Sequence, residues 1–89
     1  MYRIEIAIIN KLGLHARAAT KFVQLCSRYG CEITVSNGDK SVNGKSIMAL
    51  MTLAAKQGTI LYLDAKGEEE IELLESLSQL IADRFGESV

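Results

Sequence analysis

Histidine and cysteine are scarce in this sequence, which holds one histidine and two cysteines among its 89 residues. Cys26 and Cys31 lie five positions apart, a spacing that matches neither a metal-binding pair nor a redox motif. With His15 as the only imidazole, the chain offers no ligand set for zinc. We expect both cysteines to be buried and reduced, and we expect no metal or organic cofactor.

Long apolar runs are missing as well. No stretch approaches the roughly 18 apolar residues that a membrane-spanning helix needs. The first ten residues include Arg3 and Glu5, and they are too short and too charged for a signal peptide. From these features we expect a cytoplasmic protein without direct membrane insertion.

Aromatic side chains are few and scattered: the chain has three tyrosines, two phenylalanines and no tryptophan. A nucleic-acid-binding sandwich stacks bases on aromatic residues that are interleaved with basic ones on its sheet. This sequence has no such pattern, and its net charge is −1. We therefore expect no nucleic-acid partner.

Linkers, internal repeats and low-complexity segments are also absent, so the length indicates one domain over residues 1–89. A domain of this size buries about 60 % of the surface of its unfolded chain, which is enough for one modest core. It leaves no room for a deep, enclosed active site, so the chemistry should lie on the surface.

The small net charge conceals a segregation of charge along the chain. Residues 1–63 hold eight basic and three acidic side chains, whereas residues 64–89 hold two basic and eight acidic ones. The basic part could steer an anionic partner toward the molecule. A solvated acidic face on the last helix explains the same segregation, so both interpretations stay open.

The apolar residues alternate in some segments and recur at helical spacing in others. These patterns predict the order strand, helix, strand, strand, helix, strand, helix. The predicted ranges are Tyr2–Ile9, Ala16–Arg28, Cys31–Ser36, Lys40–Val42, Ile47–Leu53, Thr59–Ala65 and Glu68–Arg84. The βαββαβα order predicts an α+β fold: an open-faced β-sandwich in which a mainly antiparallel four-stranded sheet carries three helices on one face.

Short signals mark three boundaries. Asn37-Gly38 predicts a hairpin with a type I′ turn, because both residues tolerate the positive φ angles that this turn requires. Ser46 is a candidate N-cap for the second helix. The last helix starts with acidic residues and ends near Arg84, which predicts charges that match the helix dipole at both ends.

The segment NKLGLHARAATKFV places His15 at the start of the first helix, with Arg17 two positions on. Unpaired N–H groups and the helix dipole disfavour the imidazolium there and favour a bound anion. A neutral imidazole is a nucleophile, and a phosphoryl group on it would meet those N–H groups and Arg17. Gly13 would allow a tight turn and the approach of a second protein. A satisfied surface histidine is the more ordinary interpretation, so the residues alone leave the choice open.

A second segment, NGKSIMALM, follows the predicted hairpin. Its glycine spacing differs by one residue from that of a P-loop, which excludes a P-loop. Ser46 is then either an ordinary N-cap or a modifiable serine whose phosphate Lys45 and the helix start would stabilise. The apolar Ile47, Met48 and Met51 fit both core packing and an adaptable docking patch.

The segments GLHARAA and NGKSIMALM, in this order and spacing, resemble the HPr family, the histidine-containing phosphocarriers of the bacterial phosphoenolpyruvate:sugar phosphotransferase system. The resemblance extends over essentially the whole chain. It implies a phosphoryl carrier, not a stand-alone catalyst, that accepts the group from enzyme I and passes it to an EIIA domain. We expect such a carrier to be a monomer.

The resemblance also implies roles for single residues. His15 would take the phosphoryl group on Nδ1, and Arg17 with the backbone N–H groups of Ala16, Arg17 and Ala18 would stabilise it. Ser46 matches a regulatory serine that HPr kinase/phosphorylase modifies in organisms that have this enzyme. The partners would dock on a surface formed by Thr20, Lys45, Ile47, Met48 and Met51.

One position departs from the family motif. The residue after Arg17 is Ala18, where the family commonly has proline, and this chain contains no proline. Proline near a helix start preorganises the backbone, but the nucleophile and its N–H environment survive the change to alanine. The departure leaves a second function open: a regulatory HPr-like binding protein that acts through Ser46 in an incomplete or nitrogen-type phosphotransferase branch.

Overall fold

The strands and helices follow one another in the order that the sequence predicts. In the computed structural model, which describes residues 1–89, the strands are β1 (Tyr2–Ala7), β2 (Glu32–Ser36), β3 (Ser41–Asn43) and β4 (Ile60–Lys66). The helices are α1 (Ala16–Cys26), α2 (Ile47–Thr52) and α3 (Glu70–Ala82), and a short 3₁₀ helix (Arg84–Gly86) follows α3. Both β1 and α1 end two residues before their predicted ends.

The four strands form one antiparallel sheet in the order β1-β4-β2-β3. β4 lies inside the sheet, where Leu63 pairs with Ile4 of β1 on one side and with Val35 of β2 on the other. Side chains alternate along β4, so Leu61, Leu63 and Ala65 all point to the buried face. The predicted fold class is confirmed: three helices cover one face of a four-stranded antiparallel sheet.

One core of 20 buried apolar residues joins the helices to the sheet. Phe22 of α1, Leu50 of α2 and Leu77 of α3 are fully buried in it. Burying a side chain of this size stabilises the fold by roughly 1.5–3 kcal/mol. Cys26 and Cys31 belong to this core as free thiols, as the sequence predicts. Since α1 packs into the core, the position of its first turn is fixed.

The hairpin between β2 and β3 turns one residue later than predicted. The N–H of Asn37 donates to the carbonyl of Lys40 at 3.2 Å, so Gly38 and Asp39 form the turn. Only Gly38 has a positive φ, of 99°, whereas a type I′ turn needs two such residues. The Asn37 side chain explains the difference, because its Oδ1 accepts the N–H groups of Asp39 and Lys40 at 3.0 and 2.9 Å. The hairpin is confirmed, and the type I′ prediction is wrong.

The segment after α3 turns sharply and packs against α1. Arg84 and Phe85 have positive φ angles of 54° and 55°, which end the helix and bury Phe85 in the core. Lys21 Nζ of α1 donates to the Phe85 carbonyl at 2.5 Å. Arg84 lies outside α3, so the helix has Glu70 and Glu72 in its first turn but no basic residue in its last. The predicted match of charge and dipole therefore holds at the start of α3 and is wrong at its end.

Candidate functional site

His15 is the N-cap of α1, at the position that the sequence predicts. Its backbone is extended, with φ −77° and ψ 179°, and its side chain makes no capping hydrogen bond. The N–H groups of Ala16, Arg17 and Ala18 have no acceptor within the chain, and the first bonded donor is Ala19, 2.8 Å from the His15 carbonyl. These unpaired donors and the positive end of the helix dipole can bind an anion beside the imidazole.

Hydrogen bonds hold the loop that precedes α1. Asn10 is fully buried, and its Nδ2 donates to the Gly13 carbonyl at 2.8 Å. The Leu14 N–H donates to the Ala55 carbonyl at 2.8 Å, which joins this loop to the one after α2. The Leu14 side chain is part of the core. His15 therefore extends from a backbone that is fixed on both sides.

Gly13 brings these two loops into close contact. Its φ is +69°, and a Cβ at this position would lie 2.4 Å from the Ala55 carbonyl oxygen and 2.9 Å from Lys56 Cα. The tight turn that the sequence predicts is confirmed. The prediction that Gly13 leaves space for a second protein is wrong, because the loop after α2 occupies that space.

Arg17 lies in the first turn of α1, and its side chain is exposed. Its guanidinium has no ion-pair partner within the chain. A guanidinium remains charged at any physiological pH and presents paired N–H donors to phosphate oxygens. Ala18, by contrast, is buried in the core and contributes only its N–H group to the helix start. Arg17 is thus available to an anion that approaches His15.

Glu87 lies beside His15, although 72 residues separate them in the chain. Its Oε2 is 2.5 Å from His15 Nε2, and its Oε1 accepts from Asn10 Nδ2 at 3.0 Å. Partial burial acts to raise the pKa of Glu87, but hydrogen bonds from His15 and Asn10 and the charges of His15 and Lys21 hold this pKa below its ordinary value. No local sequence pattern points to Glu87, because the contact depends on the turn after α3.

Ser46 caps α2, as the sequence predicts. Its Oγ accepts the Ala49 N–H at 3.2 Å, and the residue is half-buried. Lys45, which the sequence places near a phosphate on Ser46, donates instead to the Tyr29 carbonyl at 2.7 Å. A phosphate on Ser46 would meet the start of α2 directly, whereas Lys45 would first have to leave Tyr29.

Three exposed apolar side chains come from the loop before α1 and from α2. Leu12, Met48 and Met51, the apolar patch, are 66 %, 80 % and 44 % exposed. Leu12 and Met51 also line a shallow cleft of about 270 Å³ together with His15 and Lys56. No period in the sequence distinguishes Leu12, which lies in the loop before α1. The methionines are thus available for docking, as one of the two sequence interpretations expects.

The other predicted docking residues do not line the cleft. Ile47 is half-buried and packs against the core. Thr20 is half-buried on α1, and its Oγ1 donates to the Ala16 carbonyl at 2.8 Å. Lys45 lines a larger hollow of about 490 Å³ along β2 and β3, which does not include His15. The chemistry favours the smaller cleft, because the larger hollow contains no histidine and its one thiol, Cys31, is buried in the core.

Two further observations concern the whole chain. No helix combines the length and apolar character that crossing a membrane requires. Histidine, cysteine, aspartate and glutamate side chains do not gather in threes that could hold a metal ion.

Comparisons with known proteins point to one family. The family described as "PTS HPr component phosphorylation site" matches residues 2–83. Phosphocarrier protein HPr of Pseudomonas aeruginosa is 56 % identical over 88 residues, which cover 98 % of each chain. The structure of HPr-C-His from Thermoanaerobacter tengcongensis matches with a TM-score of 0.95 at 44 % identity and covers 100 % of both chains. An HPr dimer from the same organism matches with a TM-score of 0.78 at 45 % identity, over 98 % of this chain and 100 % of that one. The length and the fold of the chain agree with these relatives, and the chain belongs to the HPr family of phosphocarrier proteins.

Proposed function

We propose that this chain is a phosphoryl carrier in which His15 accepts the group on Nδ1 from phospho-enzyme I and passes it to an EIIA domain. The observation that carries this proposal is the start of α1, where His15 is the N-cap and the next three residues have N–H groups without acceptors. Membership of the phosphocarrier family supplies the reaction class, which is phosphoryl transfer in the phosphotransferase system.

The transfer needs a nucleophile and a site for the charge that arrives with the phosphoryl group. The Nδ1 lone pair attacks phosphorus, the bond from phosphorus to the donor atom of phospho-enzyme I breaks, and that donor atom keeps the electron pair. The phosphoryl oxygens then accept hydrogen bonds from the first-turn N–H groups and from Arg17. Each such bond to a charged group contributes about 1.5–3 kcal/mol, so a few of them hold the phosphohistidine.

The surface around His15 suits protein partners. The apolar patch is exposed, and flexible methionine side chains can pack against more than one partner. Arg17 and Lys56 add positive charge next to it, which favours acidic partner surfaces. We propose enzyme I and EIIA as the partners of a monomer in the cytoplasm. Analytical ultracentrifugation tests the monomer against the dimer found for the Thermoanaerobacter relative.

Ser46 is the proposed regulatory site, to be modified by HPr kinase/phosphorylase where the host has this enzyme. A phosphate there would add about −1.5 to −2 charges near Met48 and Met51. Two dianions at about 10 Å in water repel by roughly 1–2 kcal/mol, and docking would also have to remove water from the phosphate. We expect Ser46→Asp to accept the phosphoryl group more slowly than Ser46→Ala. Equal rates for the two variants would contradict the regulatory role.

The carrier function is tested by intact-protein mass after incubation with phosphoenolpyruvate, Mg²⁺ and enzyme I from the same organism. We expect the wild type to gain one acid-labile phosphoryl group and His15→Ala to gain none. A wild type that gains nothing, while enzyme I phosphorylates itself, would show that the carrier function is wrong. The regulatory binding protein that acts through Ser46 would then be the better proposal, and ATP-dependent modification of Ser46 would be its test.

A further inference from the structure

We infer that Glu87 is a positioning residue for His15: it holds the imidazole in the tautomer that carries its proton on Nε2 and leaves the Nδ1 lone pair free for phosphorus. This inference rests on the proposed carrier function and names a residue outside both sequence motifs. Its basis is the contact between the only histidine of the chain and a carboxylate from the opposite end of the sequence.

The geometry leaves one arrangement of protons for the neutral ring. Glu87 Oε2 lies 2.5 Å from His15 Nε2, and an ionised carboxylate can only accept hydrogen bonds. Nε2 must then be the donor. A neutral imidazole has a single N–H, so Nδ1 is left with an unshared electron pair. The contact therefore selects the nitrogen that can act as the nucleophile.

The Glu87 carboxylate is itself held in place by a second hydrogen bond, unlike a surface side chain that meets His15 by chance. Its second oxygen accepts from Asn10 Nδ2 at 3.0 Å, and Asn10 is fully buried in the loop that carries His15. The Glu87 side chain is 13 % exposed and that of His15 is 29 % exposed. Both carboxylate oxygens are thus occupied, and Asn10 links the carboxylate to the backbone at Gly13.

The C-terminal segment, residues 84–89, is fixed on both sides of Glu87. Before it, Phe85 is buried, and its carbonyl accepts from Lys21 Nζ at 2.5 Å. After it, the Val89 carbonyl accepts the Lys11 N–H at 3.2 Å. Hydrogen bonds from His15 and Asn10 also keep the pKa of Glu87 below its ordinary value despite partial burial, so the group is an acceptor at neutral pH.

The position of Glu87 fits each stage of the transfer. As the bond from Nδ1 to phosphorus forms and the donor's bond to phosphorus breaks, positive charge develops on the His15 ring. The Nε2 proton stays where it is, and the carboxylate beside it compensates that charge. Because the two Glu87 oxygens bind His15 Nε2 and Asn10 Nδ2, the carboxylate does not compete with the phosphoryl oxygens for the N–H groups at the start of α1.

Glu87→Gln and Glu87→Ala test the role, with Glu75→Gln on the exposed face of α3 as a matched change of charge. The ¹⁵N chemical shifts of the two imidazole nitrogens report the tautomer, and rapid-quench kinetics with phospho-enzyme I report the transfer rate. We expect mixed tautomers and a transfer rate lower by about tenfold in Glu87→Ala, the size expected for loss of one hydrogen bond to a charged group. Glu87→Gln should fall between Glu87→Ala and the wild type, and Glu75→Gln should match the wild type in both readouts.

Two results would overturn the role of Glu87 alone. One is an unchanged tautomer in a folded Glu87→Ala, with its fold checked by the amide spectrum. The other is a changed tautomer with a transfer rate equal to that of Glu75→Gln. Failure of the proposed function looks different: the wild type itself would accept no phosphoryl group from active enzyme I, and the reaction role of Glu87 would be overturned with it.

Discussion

At the scale of single residues, Gly13 determines how closely the loop before α1 approaches the loop after α2. Gly13→Ala would place a methyl group 2.4 Å from the Ala55 carbonyl oxygen at a φ of +69°. Strain in the left-handed region costs about 1–2 kcal/mol, and forcing packed atoms apart adds about 1–3 kcal/mol. We expect the free energy of unfolding to fall by more than about 2 kcal/mol in a urea titration.

The matched control for this change is Gly58→Ala. Gly58 also has a positive φ, of 92°, but no atom lies within 4 Å of a Cβ there. This variant measures backbone strain without the contact between loops. Equal losses of stability in the two variants would contradict the importance of the close approach at Gly13.

The thiol of Cys26 provides a second test at this scale. Cys26 is fully buried, and burial raises its pKa to about 12 against the opposing charge of Lys45. Only the thiolate reacts, so at about pH 8 roughly one thiol in 10⁴ is in the reactive form even before access is considered. We expect Ellman's reagent to modify the native chain very slowly and the denatured chain within seconds. Rapid reaction of Cys26 in the folded protein would contradict its place in the core.

At the scale of helices and strands, short sequence patterns predicted those features that interactions between neighbouring residues determine. The start of α1, the Ser46 cap and all four strands follow from apolar period and capping chemistry within a few residues. The turn type failed because the Asn37 side chain replaced a backbone acceptor. The end of α3 failed because Phe85 is buried in a core that the rest of the chain builds. The end of α3 depends on contacts between distant parts of the chain, whereas the turn type depends on a choice between a side-chain and a backbone acceptor within residues 37–40.

An ion pair between β1 and β4 predicts how the stability of the fold depends on pH. Arg3 lies opposite Asp64, and its Nε and Nη2 donate to the carboxylate at 2.6 and 2.8 Å. The hydrogen bonds and charge of Arg3 hold the pKa of Asp64 below its ordinary value of 3.8. Because this folded-state pKa is lowered, the carboxylate stabilises the fold above about pH 4, and that contribution is lost as the pH falls through the lowered pKa.

Asp64→Asn should therefore be less stable than the wild type at neutral pH, and the difference should shrink as the solution is acidified. Urea titrations at a series of pH values measure this difference. Asp39→Asn, in the exposed hairpin turn, makes the same chemical change without an ion pair. If the difference for Asp64→Asn stays constant down to about pH 2, the pair does not act as described.

At the scale of the whole molecule, the site is assembled from three distant parts of the chain. The loop before α1 carries His15, the loop after α2 supports it through Ala55, and the C-terminal segment brings Glu87 to it. The first part could be predicted because His15 and Arg17 are neighbours in a recognisable motif. The other two could not, since their contribution depends on the antiparallel sheet and on the turn at Phe85.

The distribution of charge over the whole molecule predicts how the rate of association with a partner depends on salt concentration. Lys56 lies in the wall of the His15 cleft, whereas Lys66 ends β4 in the acidic part of the chain. If the basic part steers an acidic partner, Lys56→Gln should lower the second-order rate constant for transfer from phospho-enzyme I by about two- to fivefold at low salt. Lys66→Gln removes the same charge and should leave the rate unchanged. The effect of Lys56→Gln should disappear as the Debye length shrinks toward about 3 Å near 1 M salt, because exposed charges are then screened. Equal effects of the two substitutions would mean that net charge matters and its placement around the cleft does not.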